Sequence, residues 1–243
     1  MQKLRIGICE DDQAEQTILL ARLENCGIPC ETRVFYDGSG LLEDYYPGRY
    51  DLLLIDIYMK GLNGVETVSQ IRRIDSGVPI AFLTSSWEHA MDGYRFHVER
   101  YLVKPYKAAD LIEILELAQR NLLNQPRLSL MLSGKRQEIL QNTVRFAEQK
   151  GHSTYLHLTD GSTIKSTEKL SELAARLPQP PFYICHKSFL VNLIHVRFLN
   201  RDLSMFEMAG GGNVYIRRGS LREAESIYRF YMFEQTRMAG EGT

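Results

Sequence analysis

The amino-acid sequence predicts an α/β first half, built on a five-stranded parallel sheet, followed by a mostly-β second half. Strand-like apolar runs alternate with helical patterns up to about residue 122, which is typical of a parallel sheet covered by helices. Residues 52–55 show no polar alternation, as expected for a central strand covered on both faces. After Pro126 the helical period gives way to short alternating runs, which indicates a second domain.

The first half contains five consecutive strand-helix units. The strand-like runs are residues 4–9, 32–36, 51–55, 78–83 and 101–103. Apolar residues at helical spacing follow them at residues 14–27, 41–46, 65–71, 87–96 and 111–122. This order predicts a doubly wound sheet.

The second half contains short strand-like runs and two helical patterns. The runs are residues 144–146, 155–158, 183–185, 195–198 and 214–216, and the helical patterns are residues 168–177 and 221–230. Asp160-Gly161 is a strong signal for a two-residue hairpin. We therefore expect domains at residues 1–123 and 128–243, joined by a linker at 124–127.

Composition sets the outer bounds on function. The chain has 243 residues and no apolar run of the roughly 20 residues that span a bilayer, so we expect a cytoplasmic protein. Its four cysteines lack CxxC spacing, which favours reduced thiols. Residues 1–125 hold 13 Lys and Arg against 19 Asp and Glu, a net −6, whereas residues 126–243 hold 16 against 11, a net +5. The basic half has the sign expected for binding nucleic acid.

Polar residues follow four of the predicted strands at the edge where parallel sheets bind ligands. Glu10-Asp11-Asp12 follows the first strand, Asp56 ends the third, Thr84 follows the fourth and Lys104 follows the fifth. Clustered carboxylates repel one another, and Mg²⁺ suits a few carboxylates together with phosphate oxygens. This set predicts a Mg²⁺ site at which Asp56 accepts a phosphoryl group, with Lys104 and Thr84 stabilising the transferred oxygens.

Two alternatives remain open from the residues alone. An aspartate at the end of one strand can simply cap it, and only the residues on the other strands argue otherwise. Asp12 could replace Glu10 in the acidic pair, although Asp12 and Glu15 have the spacing of a helix capping box.

Residues 3 to about 122 resemble a response-regulator receiver domain with a flavodoxin-like fold. The resemblance implies that Glu10 and Asp11 form the acidic pair, and that Asp56 is the phosphoacceptor. It further implies that the backbone carbonyl of Tyr58 is another metal ligand. By the same resemblance, Thr84 is the switch hydroxyl, Tyr101 the switch aromatic residue and Lys104 the conserved-type lysine. Lys60 departs from the family, which commonly has a proline there. Tyr58 argues against a haloacid-dehalogenase-like phosphatase, which needs a second aspartate at that position.

Residues 128 to about 234 resemble a LytTR-type DNA-binding domain, most specifically through the block His186-Lys187-Ser188-Phe189-Leu190-Val191-Asn192. The resemblance implies an elongated β structure that contacts DNA through loops. It implies DNA contacts by His152, Asn192 and Arg217, with Lys187 and Arg218 beside them. Asn192 could instead order a turn.

Together the two resemblances imply a transcription regulator rather than an enzyme. A sensor histidine kinase would phosphorylate Asp56, the chain would form a homodimer, and the second domain would bind double-stranded promoter DNA. The alternative is a phosphorylation-dependent protein-interaction module that does not bind DNA.

Overall fold

The computed structural model describes residues 3–85, 98–132 and 134–240. These residues divide into two compact units, one formed mainly by residues 3–45 and 49–124 and the other mainly by residues 125–237. The predicted helix at residues 87–96 lies outside the described residues. Among the residues described, no helix combines the length and the apolar character needed to cross a bilayer.

The first unit is a five-stranded parallel sheet with the strand order β2-β1-β3-β4-β5, which confirms the predicted fold class. Its strands are β1 (Leu4–Cys9), β2 (Cys30–Phe35), β3 (Leu52–Asp56), β4 (Ile80–Thr84) and β5 (Arg100–Val103). Its described helices are α1 (Gln13–Asn25), α2 (Gly38–Asp44), α3 (Gly64–Arg72) and α4 (Ala108–Asn124).

The centre of this sheet is fully apolar, as the unbroken runs predict. Every residue of β3 and β4 is buried, and Ile55, Phe82, Val68 and Ile71 belong to one core cluster. Because side chains of a strand alternate between faces, burial of every residue requires helices on both faces of the sheet. Such a scaffold holds the carboxyl ends of its strands in fixed positions.

The second unit is mostly β, also as predicted. Its strands are β6 (Arg127–Leu132), β7 (Lys135–Leu140), β8 (Val144–Lys150), β9 (Ser153–Leu158), β10 (Thr163–Ser166), β11 (Phe182–His186), β12 (Phe189–Asn192), β13 (Val196–Asn200), β14 (Met205–Met208) and β15 (Asn213–Tyr215). They form an antiparallel sheet β10-β9-β8-β12-β11, a three-stranded sheet β13-β14-β15 and the hairpin β6-β7. The helices are α5 (Leu170–Ala174) and α6 (Leu221–Gly240).

Three local predictions in this unit are wrong in extent. The helix predicted at residues 168–177 spans only Leu170–Ala174. The β9-β10 connection occupies residues 159–162 rather than two residues, because the Asp160 side chain accepts from the Ser162 N–H at 2.8 Å and Gly161 adopts a φ of 84°. The last helix continues to Gly240, ten residues beyond the predicted end. Its inner face, including Ala224 and Tyr231, packs into an apolar cluster, so tertiary burial supports the longer helix.

Candidate functional site

Three acidic residues come together at the carboxyl edge of the parallel sheet. Glu10 directly follows β1, Asp11 comes next, and Asp56 is the last residue of β3. One carboxylate oxygen from each lies within 4.8 Å of the other two. Glu10 is 1% exposed and Asp56 5% exposed, so two of the three charges are largely removed from water.

Lys104 joins two of these acids. Its Nζ lies 2.6 Å from Glu10 Oε2 and 2.8 Å from Asp56 Oδ2. The Lys104 N–H donates to the Thr84 carbonyl at 2.7 Å, which anchors the residue just after β5 beside the end of β4. Without such a cation, the two buried carboxylates would repel each other and lack compensation for their desolvation.

The pKa values of this cluster follow from burial and pairing. Burial raises the pKa of Glu10 to about 7, although the hydrogen bond from Lys104 opposes that shift. Desolvation acts to lower the pKa of Lys104, but its hydrogen bonds to Asp56 and Glu10 outweigh it and hold that pKa above the ordinary value. Lys104 is therefore positively charged at neutral pH. The carboxyl group of Glu10, with a pKa of about 7, changes its protonation state around neutral pH.

The donor set of the cluster fits Mg²⁺. Mg²⁺ prefers oxygen ligands, particularly one or two carboxylates completed by water and phosphate oxygens. Each of the three acids offers one carboxylate oxygen, and the three oxygens lie within 4.8 Å of one another. Asp56 Oδ1 also accepts a hydrogen bond from the Tyr58 N–H at 3.0 Å, which fixes the carboxylate relative to the following loop. The carbonyl of Tyr58 stays a prediction as a metal ligand.

Glycines shape the loop that follows Asp56, as the sequence predicts. Gly61 adopts a φ of 78°, which favours glycine. A Cβ at Gly64 would lie 2.1 Å from the Asp56 carbonyl oxygen, so only glycine allows this close approach. The Lys60 N–H donates to Asp11 Oδ2 at 3.2 Å. The loop is thus tied to the acidic cluster through the backbone of Lys60, a link that its side-chain identity did not reveal.

Asp12 has a different position from the three clustered acids. Its Oδ1 accepts hydrogen bonds from the N–H groups of Ala14 at 2.7 Å and Glu15 at 3.1 Å, which makes it the N-cap of α1. These bonds lower its pKa. The side chain of Asp12 therefore caps a helix, and Glu10 is the residue that joins Asp11 and Asp56 in the acidic cluster.

The two predicted switch residues lie on the neighbouring strands. Thr84 is fully buried at the end of β4, and the register pairs Asp56 with Leu83, the residue before it. Tyr101 pairs with Phe82 across β4 and β5, with ring centroids 5.5 Å apart. The fold therefore places Thr84 on the strand next to Asp56 and Tyr101 one strand further out, while their switching roles stay predictions.

In the second unit, three of the predicted DNA-binding residues line one groove of about 940 Å³. Lys187, Arg217 and Arg218 are all exposed, and none of them forms an ion pair with another described residue. Ile184 and Tyr215 also line the groove. Neither residue was predicted from the sequence. The only sequence feature that indicates them is their position on short strands, within three residues of the predicted Lys187 and Arg217.

The other two predicted DNA-binding residues lie elsewhere. His152 is exposed in the turn between β8 and β9, outside the lining of the groove. Asn192 is fully buried. Its Nδ2 donates to the Val144 carbonyl at 2.9 Å, and its Oδ1 accepts from the Ile194 N–H at 3.2 Å. The prediction that Asn192 contacts DNA is corrected accordingly, because its side chain orders a turn inside the unit.

A doubly wound sheet with clustered carboxylates and a bridging lysine at its carboxyl edge is the arrangement of a receiver domain. Residues 6–116 match the model of the response regulator receiver domain, and residues 136–229 match the LytTr DNA-binding domain. The chain belongs to the response regulators that combine these two domains.

The similarity to two curated relatives extends over most of their length. The chain is 27% identical over 202 residues to the sensory transduction protein LytT of Oceanobacillus iheyensis, covering 79% of this chain and 81% of the relative. It is 27% identical over 201 residues to the transcriptional regulatory protein NatR of Bacillus subtilis, with 80% and 84% covered. Among solved structures, the response regulator TrrA of Thermotoga maritima, in complex with Mg²⁺ and BeF, is 25% identical over 48% of this chain and 99% of that one, with a TM-score of 0.43.

Proposed function

We propose that the chain is a phosphorylation-controlled transcription regulator. Asp56 accepts a phosphoryl group from a sensor histidine kinase, and the second unit binds promoter DNA. The observation that carries the proposal is the Lys104 ammonium group between Glu10 and Asp56, at 2.6 Å and 2.8 Å, beside a three-carboxylate cluster. We place the receiver domain at residues 1–123, the linker at 124–127 and the DNA-binding domain at 128–243.

The acidic cluster is the proposed metal site. Glu10, Asp11 and Asp56 would hold Mg²⁺ together with the carbonyl of Tyr58. The bound ion would neutralise the carboxylates and stabilise phosphoryl oxygens. Lys104 holds a positive charge in the same place, 2.8 Å from the buried Asp56 carboxylate.

In the proposed transfer, the phosphorus–nitrogen bond of a phosphohistidine breaks as a phosphorus–oxygen bond to Asp56 forms. The new group is dianionic and carries strong acceptor oxygens. Lys104 and the Thr84 hydroxyl, at the ends of β5 and β4, donate hydrogen bonds to those oxygens. Tyr101, the switch aromatic residue, then changes its conformation together with Thr84. These movements change the surface formed by β4 and β5, and the changed surface favours formation of a homodimer.

Several interactions must share the energy of that switch. Moving a conformational equilibrium from 1:99 to 99:1 requires roughly 5.5 kcal/mol of differential stabilisation, whereas one hydrogen bond contributes about 1 kcal/mol net. We assign the difference to the metal ion, Lys104 and the dimer contacts acting together.

The proposed DNA surface consists of Lys187, Arg217 and Arg218 in the groove, with His152 as a separate contact from the β8-β9 turn. Exposed cations that have no internal ion-pair partner are available to phosphate oxygens, and arginine can also bind guanine in a bidentate manner. Asn192 is left out of this surface because its amide group is engaged inside the unit.

Phosphorylation of purified protein by acetyl phosphate in the presence of Mg²⁺ tests the receiver half. Wild type should show a shifted band on a phosphate-affinity gel, and Asp56→Asn should not. Asp12→Asn is the matched control, since asparagine is an equally good helix cap, and it should be phosphorylated as wild type is. Equal phosphorylation of Asp56→Asn and wild type would place the acceptor elsewhere.

Selection of genomic DNA fragments with and without acetyl phosphate tests the output half. Phosphorylated wild type should retain specific fragments, and that binding should weaken steeply with salt because cations on the protein displace counterions from phosphates. A protein-interaction module without DNA binding predicts no enriched fragment and no salt-dependent retention.

A further inference from the structure

An exposed isoleucine stands among the cations of the second unit's groove. Ile184 is 40% exposed and lines the groove together with Lys187, Arg217 and Arg218. Tyr215, which is 54% exposed, also belongs to the lining. A surface that only bound phosphate would need the cations and not these apolar groups.

Ile184 lies on the core-facing side of its sheet, yet its side chain stays partly exposed. It lies on the edge strand β11 and pairs with Leu190 of β12, which is 1% exposed. Phe182, two residues earlier on the same face, is 2% exposed and belongs to the core cluster that also contains Leu190. The pairing register shifts between Ile184 and His186. Ile184 is therefore held on an edge strand, on the same face as Phe182 and Leu190, and it also lines the groove.

We propose that Ile184 is a specificity-determining residue that packs against the C5-methyl group of a thymine in the bound DNA. Among the groups that base pairs present in the major groove, the thymine methyl is the apolar one. The cations beside Ile184 would hold the phosphate backbone, which places a nearby base edge within reach of the side chain. This inference rests on the proposed function, because it requires that the groove hold DNA.

The experiment uses the full chain, phosphorylated with acetyl phosphate, and a duplex obtained from the genomic selection. Each thymine of the site is replaced in turn by deoxyuracil, which removes only the C5-methyl group. At one position wild type should bind about fourfold more weakly, as expected for about 0.8 kcal/mol per buried methyl-sized group.

The variant Ile184→Ala completes the test as a double-mutant cycle. It should bind the thymine duplex about as weakly as wild type binds the deoxyuracil duplex, and it should show no further loss with deoxyuracil at that position. Leu203→Ala is the matched control, since Leu203 is 61% exposed in the same unit and does not line the groove. It should keep the fourfold penalty, and thermal unfolding of both variants should match that of wild type.

Failure of the Ile184 contact and failure of DNA binding give different results. Salt-dependent binding by wild type with no position-specific deoxyuracil penalty would overturn the role of Ile184 and leave the proposed function intact. Retention of the full penalty by Ile184→Ala would also overturn that role alone. If wild type bound no selected duplex in a salt-dependent manner, both the role of Ile184 and the proposed DNA binding would be wrong.

Discussion

The two candidate sites of this chain differ in the burial and the ion pairing of their charged side chains. In the first unit, Lys104 contacts both Glu10 and Asp56, and the two acids are 1% and 5% exposed. In the second unit, Lys187, Arg217 and Arg218 are exposed and have no ion-pair partner among the described residues. The first site pairs two buried acids with an internal cation, and the second leaves its cations available to an external anion.

This difference teaches how each site can be tested. A buried, paired site contributes to folding, so altering one partner changes stability as well as chemistry. An exposed, unpaired site contributes little to folding, so altering it changes binding alone. Single substitutions in each site test this difference, and we expect the largest change in stability at Lys104.

Lys104→Met should lower the free energy of unfolding by about 3 kcal/mol at pH 8, because it leaves two buried carboxylates without their cation. Urea unfolding monitored by circular dichroism measures the loss. The loss should be smaller at pH 5, where Glu10 is protonated and no longer needs a partner.

Lys107→Met is the control for that experiment. Lys107 is exposed three residues further along and forms no ion pair within the described part of the chain, so its replacement should leave stability unchanged. Equal effects of the two variants would show that Lys104 is not held in a special electrostatic environment.

Asn192→Ala should lower the free energy of unfolding by about 2 kcal/mol, because it leaves the buried Val144 carbonyl without its donor. The affinity of the folded variant for the selected DNA should stay the same. Asn213→Ala, at an exposed asparagine on β15, should be neutral in unfolding. A variant of Asn192 that folded with full stability but bound the selected DNA more weakly would restore the original DNA-binding prediction.

The orientation of the Asn192 side chain could not be predicted from the sequence, unlike the acidic cluster of the first unit. The order of strands and helices predicted the parallel sheet, and the sheet dictates that Glu10, Asp56 and Lys104 meet at one edge, because strand ends of a doubly wound sheet converge. For Asn192 no such rule exists. A polar residue at the end of a short strand can face the solvent or the interior, and that depends on register, which the sequence did not determine.

The pH dependence of stability should separate the two units further. Burial raises the pKa of Glu10 from 4.5 to about 7, so the folded state favours the protonated carboxyl. The stabilisation is complete below about pH 4.5 and is lost as pH rises through about 7, a change on the order of 2 to 3 kcal/mol. Urea unfolding of wild type and Glu10→Gln from pH 5 to pH 8 measures it.

Glu10→Gln should remove this contribution, so the difference between the two pH profiles isolates Glu10. Mg²⁺ provides an independent check, because metal binding requires ionised carboxylates. Added Mg²⁺ should stabilise wild type more at pH 8 than at pH 5, and it should stabilise Glu10→Gln less than wild type at pH 8. Identical pH profiles would mean that Glu10 ionises as an ordinary surface acid does.

Arg218→Ala should have the smallest effect on the fold and a defined effect on binding. If Arg218 neutralises one phosphate, its loss reduces the slope of log K against log salt by about 0.9 and weakens binding to different sequences by a similar factor. Unfolding should change by less than about 0.5 kcal/mol, since no internal partner is lost. Arg201→Ala is the matched control, because Arg201 is exposed and already paired with Glu225, outside the groove lining. If both variants lowered the salt slope equally, general positive charge would drive binding, and the unpaired cations of the groove would have no special role.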